Sequence, residues 1–502
     1  MVVILYRRNI EMVGLLGIAV CISMAAPPPG GPVLAGGAVK LTPTVEGVDL
    51  SEFFTAWSTQ IPDLPGDSGM PFAVELELGG GRYTLVLDPF SVRAEGFQAL
   101  VVRDGELVEV PVEAPKTYRG YVEGLPGSIA GGSYYDGQLR LVIEMGDLGS
   151  YGVQPVADFV PGVNASLHVA YAATDSFTDD SWTCGTDELR HSFGGMQHHL
   201  DQSEANGPNP AGGDRTAEVA FDTDFEFFTR RGSVQACIDD IEAIQAGVDV
   251  IYERDVNICH VISRIIVRDT SNDPYSGTDA ETILTQFQNH WNSQQGGVQR
   301  DLAHLMAGRS RDGGILGIAY LSVVCNRSSA YGVSWTLFSS NMTQRVALTA
   351  HEEGHNWGAG HCCSGCSGCS TCRIMCPCLG GCSGNITSFG TSEINQITNH
   401  RNSRNCLTDG CGGGGGGGGV QCGDVKNLKA RCRDNGAIKG KVILFDETHD
   451  GEEVIISIDG RNFTLTIANG RAPFNVCCYT GPGHSVSLVD PGNCITIQVS
   501  CN

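Results

Sequence analysis

Positive charge is scarce in this sequence: 32 Lys and Arg stand against 56 Asp and Glu, a formal net charge of −24 over 502 residues. Such a chain is poorly suited to a phosphate backbone or an anionic membrane, so nucleic acid and acidic lipid are set aside as main partners. The acidity names no substrate, because a solvated acidic surface has the same composition. Long hydrophobic runs are scarce as well. Beyond residue 26 no stretch is apolar over the roughly 20 residues that a membrane span requires. With 18% charged and 41% hydrophobic residues the composition is that of globular domains, and the length has room for about three of them.

Against this background the N-terminus stands out. Arg7 and Arg8 precede an apolar run from Met12 to Ala26, followed by Pro27, Pro28 and Pro29. A basic start, a short apolar core and small residues at Ala25 and Ala26 describe an export signal over 1–26, so a secreted, extracellular protein is expected. Cysteine, 21 in all, agrees. It is dense between Cys362 and Cys382 and again between Cys422 and Cys501, a load that an oxidising compartment favours. Setting aside Cys21 and Cys184, the remaining cysteines are odd in number, so one thiol is left unpaired or pairs between chains.

Composition divides the rest. Residues 39–171 carry short alternating runs such as Phe72–Leu78, Arg82–Leu87 and Leu139–Glu144, punctuated by Gly and Pro, which predicts a β-rich unit. Residues 172–215 are polar and read as an exposed connector, the kind of segment where processing occurs. From 216 to 409 a strand at Ala217–Phe221, a helix at Val234–Tyr252, a buried strand at Val261–Val267 and a helix at Glu281–Trp291 alternate, which indicates an α/β arrangement. Gly412–Gly419 is an unbroken glycine run within a linker at 410–420, spanning about 16 Å on random-coil scaling. Residues 421–502 hold strand-like segments separated by Asp459–Gly460 and Asn469–Gly470, and a small disulfide-tied β-sandwich is the simplest expectation.

The chemistry is concentrated in His351-Glu352-Glu353-Gly354-His355-Asn356-Trp357-Gly358-Ala359-Gly360-His361. Residues i and i+4 of a helix share a face, so His351 and His355 can aim at one point. Thr343–Ala350 has neither Gly nor Pro and can continue that helix. Gly358 tolerates the positive φ that ends it and returns the chain, letting His361 approach as a third ligand. Three nitrogen ligands leave one position of tetrahedral zinc open, as a hydrolytic site requires. Glu352, directly after the first ligand, is the general base. Glu353 is read as solvent-facing or structural.

HExxHxxGxxH followed by a methionine turn resembles the metzincin metalloproteases, with Cys372-Arg373-Ile374-Met375-Cys376-Pro377 as the turn. The resemblance implies Met375 as an apolar floor beneath the histidines. It also implies Zn2+ as cofactor, and a catalytic domain with a mixed twisted sheet and a zinc-binding helix, between a β-rich prodomain and the C-terminal β-domain. The surroundings are most similar to the reprolysin or adamalysin branch. Gly317-Ile318-Ala319-Tyr320 through Cys325 resembles the segment before that branch's substrate-binding edge strand, so Ala330–Trp335 is expected at the edge. Thr117-Tyr118-Arg119-Gly120-Tyr121-Val122-Glu123-Gly124 resembles the reprolysin propeptide. The chain departs from the branch in having Cys362 where Asp usually follows the third histidine, and in its dense insert Cys362–Cys382.

Cys184, in Trp182-Thr183-Cys184-Gly185-Thr186-Asp187, is a candidate cysteine switch whose thiolate would take the fourth zinc position; an ordinary disulfide partner is the alternative. The cysteines from Cys362 to Cys382 have spacings that also suit a metal, although disulfides over the active-site loop are expected. His198 and His199 are adjacent and do not face one metal easily. Asn164, Asn326, Asn341, Asn385 and Asn462 open glycosylation sequons. The expectation is a secreted zymogen that hydrolyses internal peptide bonds of proteins. The rivals are a catalytically silent zinc-binding adhesion module and a crosslinked structural protein. The ligand of the C-terminal domain is not legible.

Overall fold

A computed structural model describes residues 48–177, 182–187, 189, 214–411, 420 and 425–501, apart from positions 67–68, 104, 126, 312, 367–370, 380–383, 434–435, 446–448, 450, 452, 460, 478 and 491–494. The expected signal, the His198–His199 pair, the glycine run and Cys369, Cys382 and Cys422 lie outside the described residues.

Period-2 patterning builds the first sheet. Its strands are β1 (Ser58–Gln60), β2 (Phe72–Leu78), β3 (Gly81–Pro89), β6 (Thr117–Val122), β7 (Ile129–Tyr135), β8 (Gln138–Glu144), β9 (Ser150–Pro155) and β10 (His168–Ala172). In β2, Val74, Leu76 and Leu78 are buried while Ala73, Glu75 and Glu77 are exposed, the alternation of a sheet with one covered face. The antiparallel order is β1-β10-β9-β8-β7-β6-β3-β2. Two strands between β3 and β6 leave this sheet. The hairpin β4 (Arg93–Arg103) and β5 (Glu106–Glu109) joins the next one, so the N-terminal β-rich stretch is divided between two sheets.

That second sheet is mixed. β11 (Thr183–Cys184), β12 (Arg215–Thr223), β13 (Ile258–Val267), β14 (Leu302–Met306), β15 (Ile315–Ala319), β16 (Tyr331–Ser334) and β17 (Thr408–Asp409) belong to it. Its order is β5-β4-β13-β12-β14-β16-β15-β11, with β17 alongside the start of β12. Parallel neighbours require crossovers, which here are helical: α1 (Phe225–Arg231) and α2 (Val234–Val256) join β12 to β13, and α3 (Ala280–Gln294) joins β13 to β14. Ser233 caps α2 by accepting from the Ala236 N–H, and Asn257 ends it at φ 53°. α2 is buried around most of its circumference, with Asp239, Glu242, Gln245 and Asp249 among its covered residues. α4 (Met342–Asn356) and α5 (Thr391–Asn402) complete the unit. The two strands and two helices expected between 216 and 294 are present, each three or four residues longer than the sequence pattern implied.

One expectation is corrected by the pairing. Ala330–Trp335 contains β16, which lies between β14 and β15; beyond it come β15, antiparallel to β16, and then only the two-residue β11. The hydrophobic run of β16 is buried throughout because neighbours flank it on both sides. Near the C-terminus, β18 (Val425–Cys432), β19 (Ile438–Leu444) and β22 (Arg471–Val476) form one sheet, and β20 (Glu453–Ile458), β21 (Arg461–Thr466), β23 (Gly481–Asp490) and β24 (Thr496–Cys501) form another. They share a core that includes Leu428, Ile438, Val442, Ile456 and Val486. Cys432–Cys501 crosslinks β18 to β24, and Cys259–Cys411, Cys325–Cys406, Cys362–Cys372 and Cys366–Cys378 are also disulfides. No helix among the described residues is long and apolar enough to cross a membrane.

Candidate active site

Helix α4 begins where the Asn341 side chain accepts from the Gln344 N–H at 3.2 Å. Asn341 is 3% exposed, so a glycan at this sequon is incompatible with the fold. His351 and His355 share one face of this helix, which is buried all round. The helix closes with the Gly358 N–H donating to the His355 carbonyl at 2.9 Å. Gly358 has φ 101°, a conformation that side-chain-bearing residues rarely adopt, and it turns the chain so that His361 comes back to the other two.

The three imidazoles converge through one kind of atom. Nε2 of His351 lies 3.1 Å from that of His355 and 3.3 Å from that of His361, and the last two are 3.2 Å apart. Each Nδ1 faces an acceptor at 2.7 Å: the Ile374 carbonyl for His351, the Ala359 carbonyl for His355, and Asp187 Oδ2 for His361. An Nδ1–H donated outward leaves each Nε2 lone pair pointing inward. Burial holds the His351 pKa down to about 3, so that ring is neutral. Three converging lone pairs repel unless a cation lies between them. Tetrahedral zinc with bonds of about 2.0–2.1 Å would separate its nitrogens by roughly 3.3 Å, so the donor set fits zinc.

Glu352 is fully buried beside this cluster, and its Oε1 accepts no hydrogen bond among the described residues. Burial pushes its carboxyl well above the usual range. Strand β15 passes directly over it: a Cβ on Gly317 would collide with the Glu352 carboxylate, so only glycine lets strand and carboxylate approach this closely. Glu353 is not solvent-facing. It is fully buried on the opposite side of the helix, with Oε2 3.7 Å from His260 Nε2, and burial pushes its carboxyl to about 7. His260 also accepts from Trp357 Nε1 at 3.1 Å and meets Asp249 at 3.2 Å, so this network fixes the back of α4. Met375 is buried beneath the helix, where its Sδ would be 2.8 Å from a Cβ on Gly354.

Residues 182–187 lie in the cleft. The Thr183 and Gly185 N–H groups donate to the carbonyls of Gly314 and Gly317 at 3.0 and 2.9 Å, and the Cys184 N–H donates to the Pro377 carbonyl at 2.9 Å. The segment is therefore held like a bound peptide between β15, to which it runs parallel, and the strap after Met375. Cys184 Sγ lies 3.4 Å from His355 Nε2 and 3.5 Å from Glu352 Oε2. Cys184 and the three histidines have donor atoms all within 4.8 Å of one another. Burial, reinforced by the Glu352 carboxylate, raises the thiol pKa; a bound cation would oppose that and favour the thiolate. An apolar recess lined by Leu316, Leu348, Pro377 and Leu379 opens beside His351 and Glu352.

The structure thus gathers His351, His355, His361, Glu352 and Cys184, with Met375 below them. Sequence reasoning missed Asp187, which orients His361 from three residues beyond Cys184. Its only signal was its place in the same short segment. The carbonyls of Ile374 and Ala359 carry no side-chain signal at all.

Residues 213–391 match the Reprolysin_5 family, metallo-peptidase family M12. The chain is similar to disintegrin and metalloproteinase domain-containing protein 1 of Rattus norvegicus, 28% identical over 338 residues that cover 62% of this chain and 40% of that protein. It is also similar to disintegrin and metalloproteinase domain-containing protein 10 of Homo sapiens, 24% identical over 292 residues that cover 49% and 39%. The chain spans about two fifths of the length of these curated relatives. Among solved structures, metalloproteinase-II from Bacteroides fragilis aligns with 66% of this chain and 92% of that one, at 12% identity and a TM-score of 0.38.

Proposed function

We propose that this chain, whose residues 213–391 form a metzincin domain of the reprolysin, ADAM-like type, is a secreted zinc endopeptidase made in latent form. The observation that carries the reading is the convergence of three outward-anchored histidines on one point, beside a buried carboxylate with an unpaired oxygen. Zinc bound by His351, His355 and His361 supplies Lewis acidity toward a carbonyl oxygen and toward water. Glu352 takes the proton of the attacking water and delivers it to the leaving amine nitrogen. A buried carboxyl with raised proton affinity suits both halves of that transfer near neutral pH.

The protein or peptide substrate lies along β15 once residues 182–187 have left. It takes over the Gly314 and Gly317 carbonyls, which those residues now use. Once Trp182 and Thr183, which also line it, have left, the recess of Leu316, Leu348 and Leu379 opens to an apolar side chain next to the scissile bond. In the uncut chain Cys184 faces the three histidines, where its thiolate would add a donor to a bound zinc and exclude water, and residues 48–177 act as the prodomain. Disulfides throughout the fold agree with export. The C-terminal β-domain binds a surface or substrate whose chemistry is open.

The test is cleavage of a mixed peptide library by the processed protein beside Glu352→Gln, with zinc content measured in both. The expected result is internal cuts that require zinc and vanish in the variant at equal zinc content. If folded, zinc-loaded, processed protein cut nothing, the silent zinc-binding module would replace this reading.

A further inference from the structure

We infer that residues 48–177 are not discarded on activation but stay as a non-covalent subunit of the mature enzyme, while only the segment around Cys184 leaves the cleft. The inference rests on the latent-enzyme reading for the fact of a cut in the connector; the association itself does not depend on it.

Four features of the interface point the same way. First, β4 supplies an edge that β13 lacks. Gln98, Ala99, Leu100 and Val101 pair in parallel with Arg264, Ile265, Ile266 and Val267. Without them β13, whose Ile262, Ile265, Ile266 and Val267 are fully buried, would end the sheet as an open apolar edge, the arrangement proteins avoid. Second, both faces of β4 are inside the metzincin core. Val92, Ala99 and Val101 pack with Ile241, Ile262 and Ile265 on one side, and Leu100 packs with Ile266 on the other.

Third, α2 presents a charged stripe whose Lys and Arg partners, among the described residues, come from the N-terminal stretch. Asp239, Glu242, Asp249 and Glu253 fall within about 80° of arc on a helix of 3.6 residues per turn. Lys116 meets Asp239 at 2.7 Å, Arg93 meets Glu242 through two nitrogens at 2.5 and 3.2 Å, and Arg119 meets Glu253 at 2.7 Å and Asp249 at 3.9 Å. In the other direction Arg254 of α2 pairs with Glu144 of β8. Midway along the stripe, Gly131 of β7 sits so close that a Cβ would strike the Ala246 carbonyl.

Fourth, the start of the zinc-binding helix is held from the same side. Gln154 Oε1 accepts from the Met342 N–H at 2.8 Å, and Gln154 Nε2 donates to the Ser340 carbonyl at 2.9 Å. The Tyr171 hydroxyl lies 3.0 Å from Asn341 Oδ1, and Asn341 Nδ2 donates to Ser176 Oγ at 2.9 Å. Removing residues 48–177 would therefore expose an apolar strand edge, strip α2 of its cations and loosen the cap of α4 together. Residues 182–187, with two paired strand residues that are only half-buried, can leave without disturbing any of these.

The experiment replaces residues 196–205 of the full chain with a site-specific protease sequence, in the native and Glu352→Gln backgrounds, and cuts the folded protein. Size exclusion with mass spectrometry at 0.15 M and 1 M salt, about an 8 Å and a 3 Å screening length, reads the outcome. Both pieces should co-elute one-to-one at both salts, because strand pairing and apolar contact persist when charges are screened. Amide exchange at residues 342–346 and 262–267 should be the same cut and uncut. Two separate peaks, or a monodisperse C-terminal piece with unchanged protection, overturn the inference. Co-elution is read in Glu352→Gln protein as well, so its failure and the failure of the peptidase reading are told apart.

Discussion

The nine-stranded sheet is closed at both ends by residues that precede the histidine-bearing unit, and the two closures differ in kind. At β13 the closing strand is long, covered on both faces and anchored by ion pairs buried against α2. At β15 it is two residues long, half-buried, and paired mainly through backbone groups that any peptide offers. Pairing between strands is the same chemistry in both places. What separates a structural contact from a removable one is side-chain burial: apolar area and desolvated charge make one end specific and durable, while a short backbone ladder with a few polar side-chain contacts from Cys184, Thr186 and Asp187 leaves the other exchangeable.

Substitutions can break or sharpen that contrast. The largest effect belongs to the removable end, where Glu352→Gln should lower the kcat/KM of peptide cleavage by roughly 10²–10⁴. Its unfolding midpoint should be unchanged or raised, since a buried carboxylate without a full set of partners is costly to the fold. At the durable end, Arg93→Ala leaves Glu242 buried and unpaired, and urea unfolding should show a loss of about 3–5 kcal/mol; a loss below about 1 kcal/mol would erase the proposed difference between the ends.

His304, in the middle of the sheet on β14, serves as a control belonging to neither end. Burial depresses its pKa to about 3, below the ordinary value of about 6.5. Between those values the unfolded chain binds the proton and the folded one does not, so stability is full above pH 6.5 and falls as pH drops toward 3. By pH 4.5 the loss should be about 2–3 kcal/mol, and it should disappear in His304→Gln when unfolding is compared at pH 7 and 4.5. The smallest effect on stability is expected for Cys184→Ser, within about 1 kcal/mol. The uncut variant should nonetheless cleave peptides that the native uncut chain leaves intact. A midpoint shift as large as that of Arg93→Ala would mean that both ends are structural.

The site was more legible than its surroundings. His351, His355, Gly358 and His361 stand within eleven consecutive residues, and helical periodicity plus one glycine turn suffices to bring them together. Glu353 could not be assigned between surface and interior, because its surroundings come from His260 and Asp249 on other elements. Asp187 escaped for the same reason: it meets His361 across 174 residues. The strand order placed β15, not Ala330–Trp335, at the cleft edge, and the reading by similarity had the neighbouring strand. The β4–β5 hairpin looked like more of the N-terminal β-unit, since alternation marks a strand without saying which sheet will take it.

By itself, then, the sequence determined the make-up of the centre, because the three histidines and the adjacent carboxylate sit at short spacings whose geometry is set by local backbone structure. The tertiary structure alone decided what surrounds that centre: which strand lies over Glu352, which carboxylate orients His361, what fills the cleft, and which N-terminal strand completes the sheet. Those outcomes depend on contacts between residues far apart in the chain, where strand pairing and burial select among partners that look alike one residue at a time.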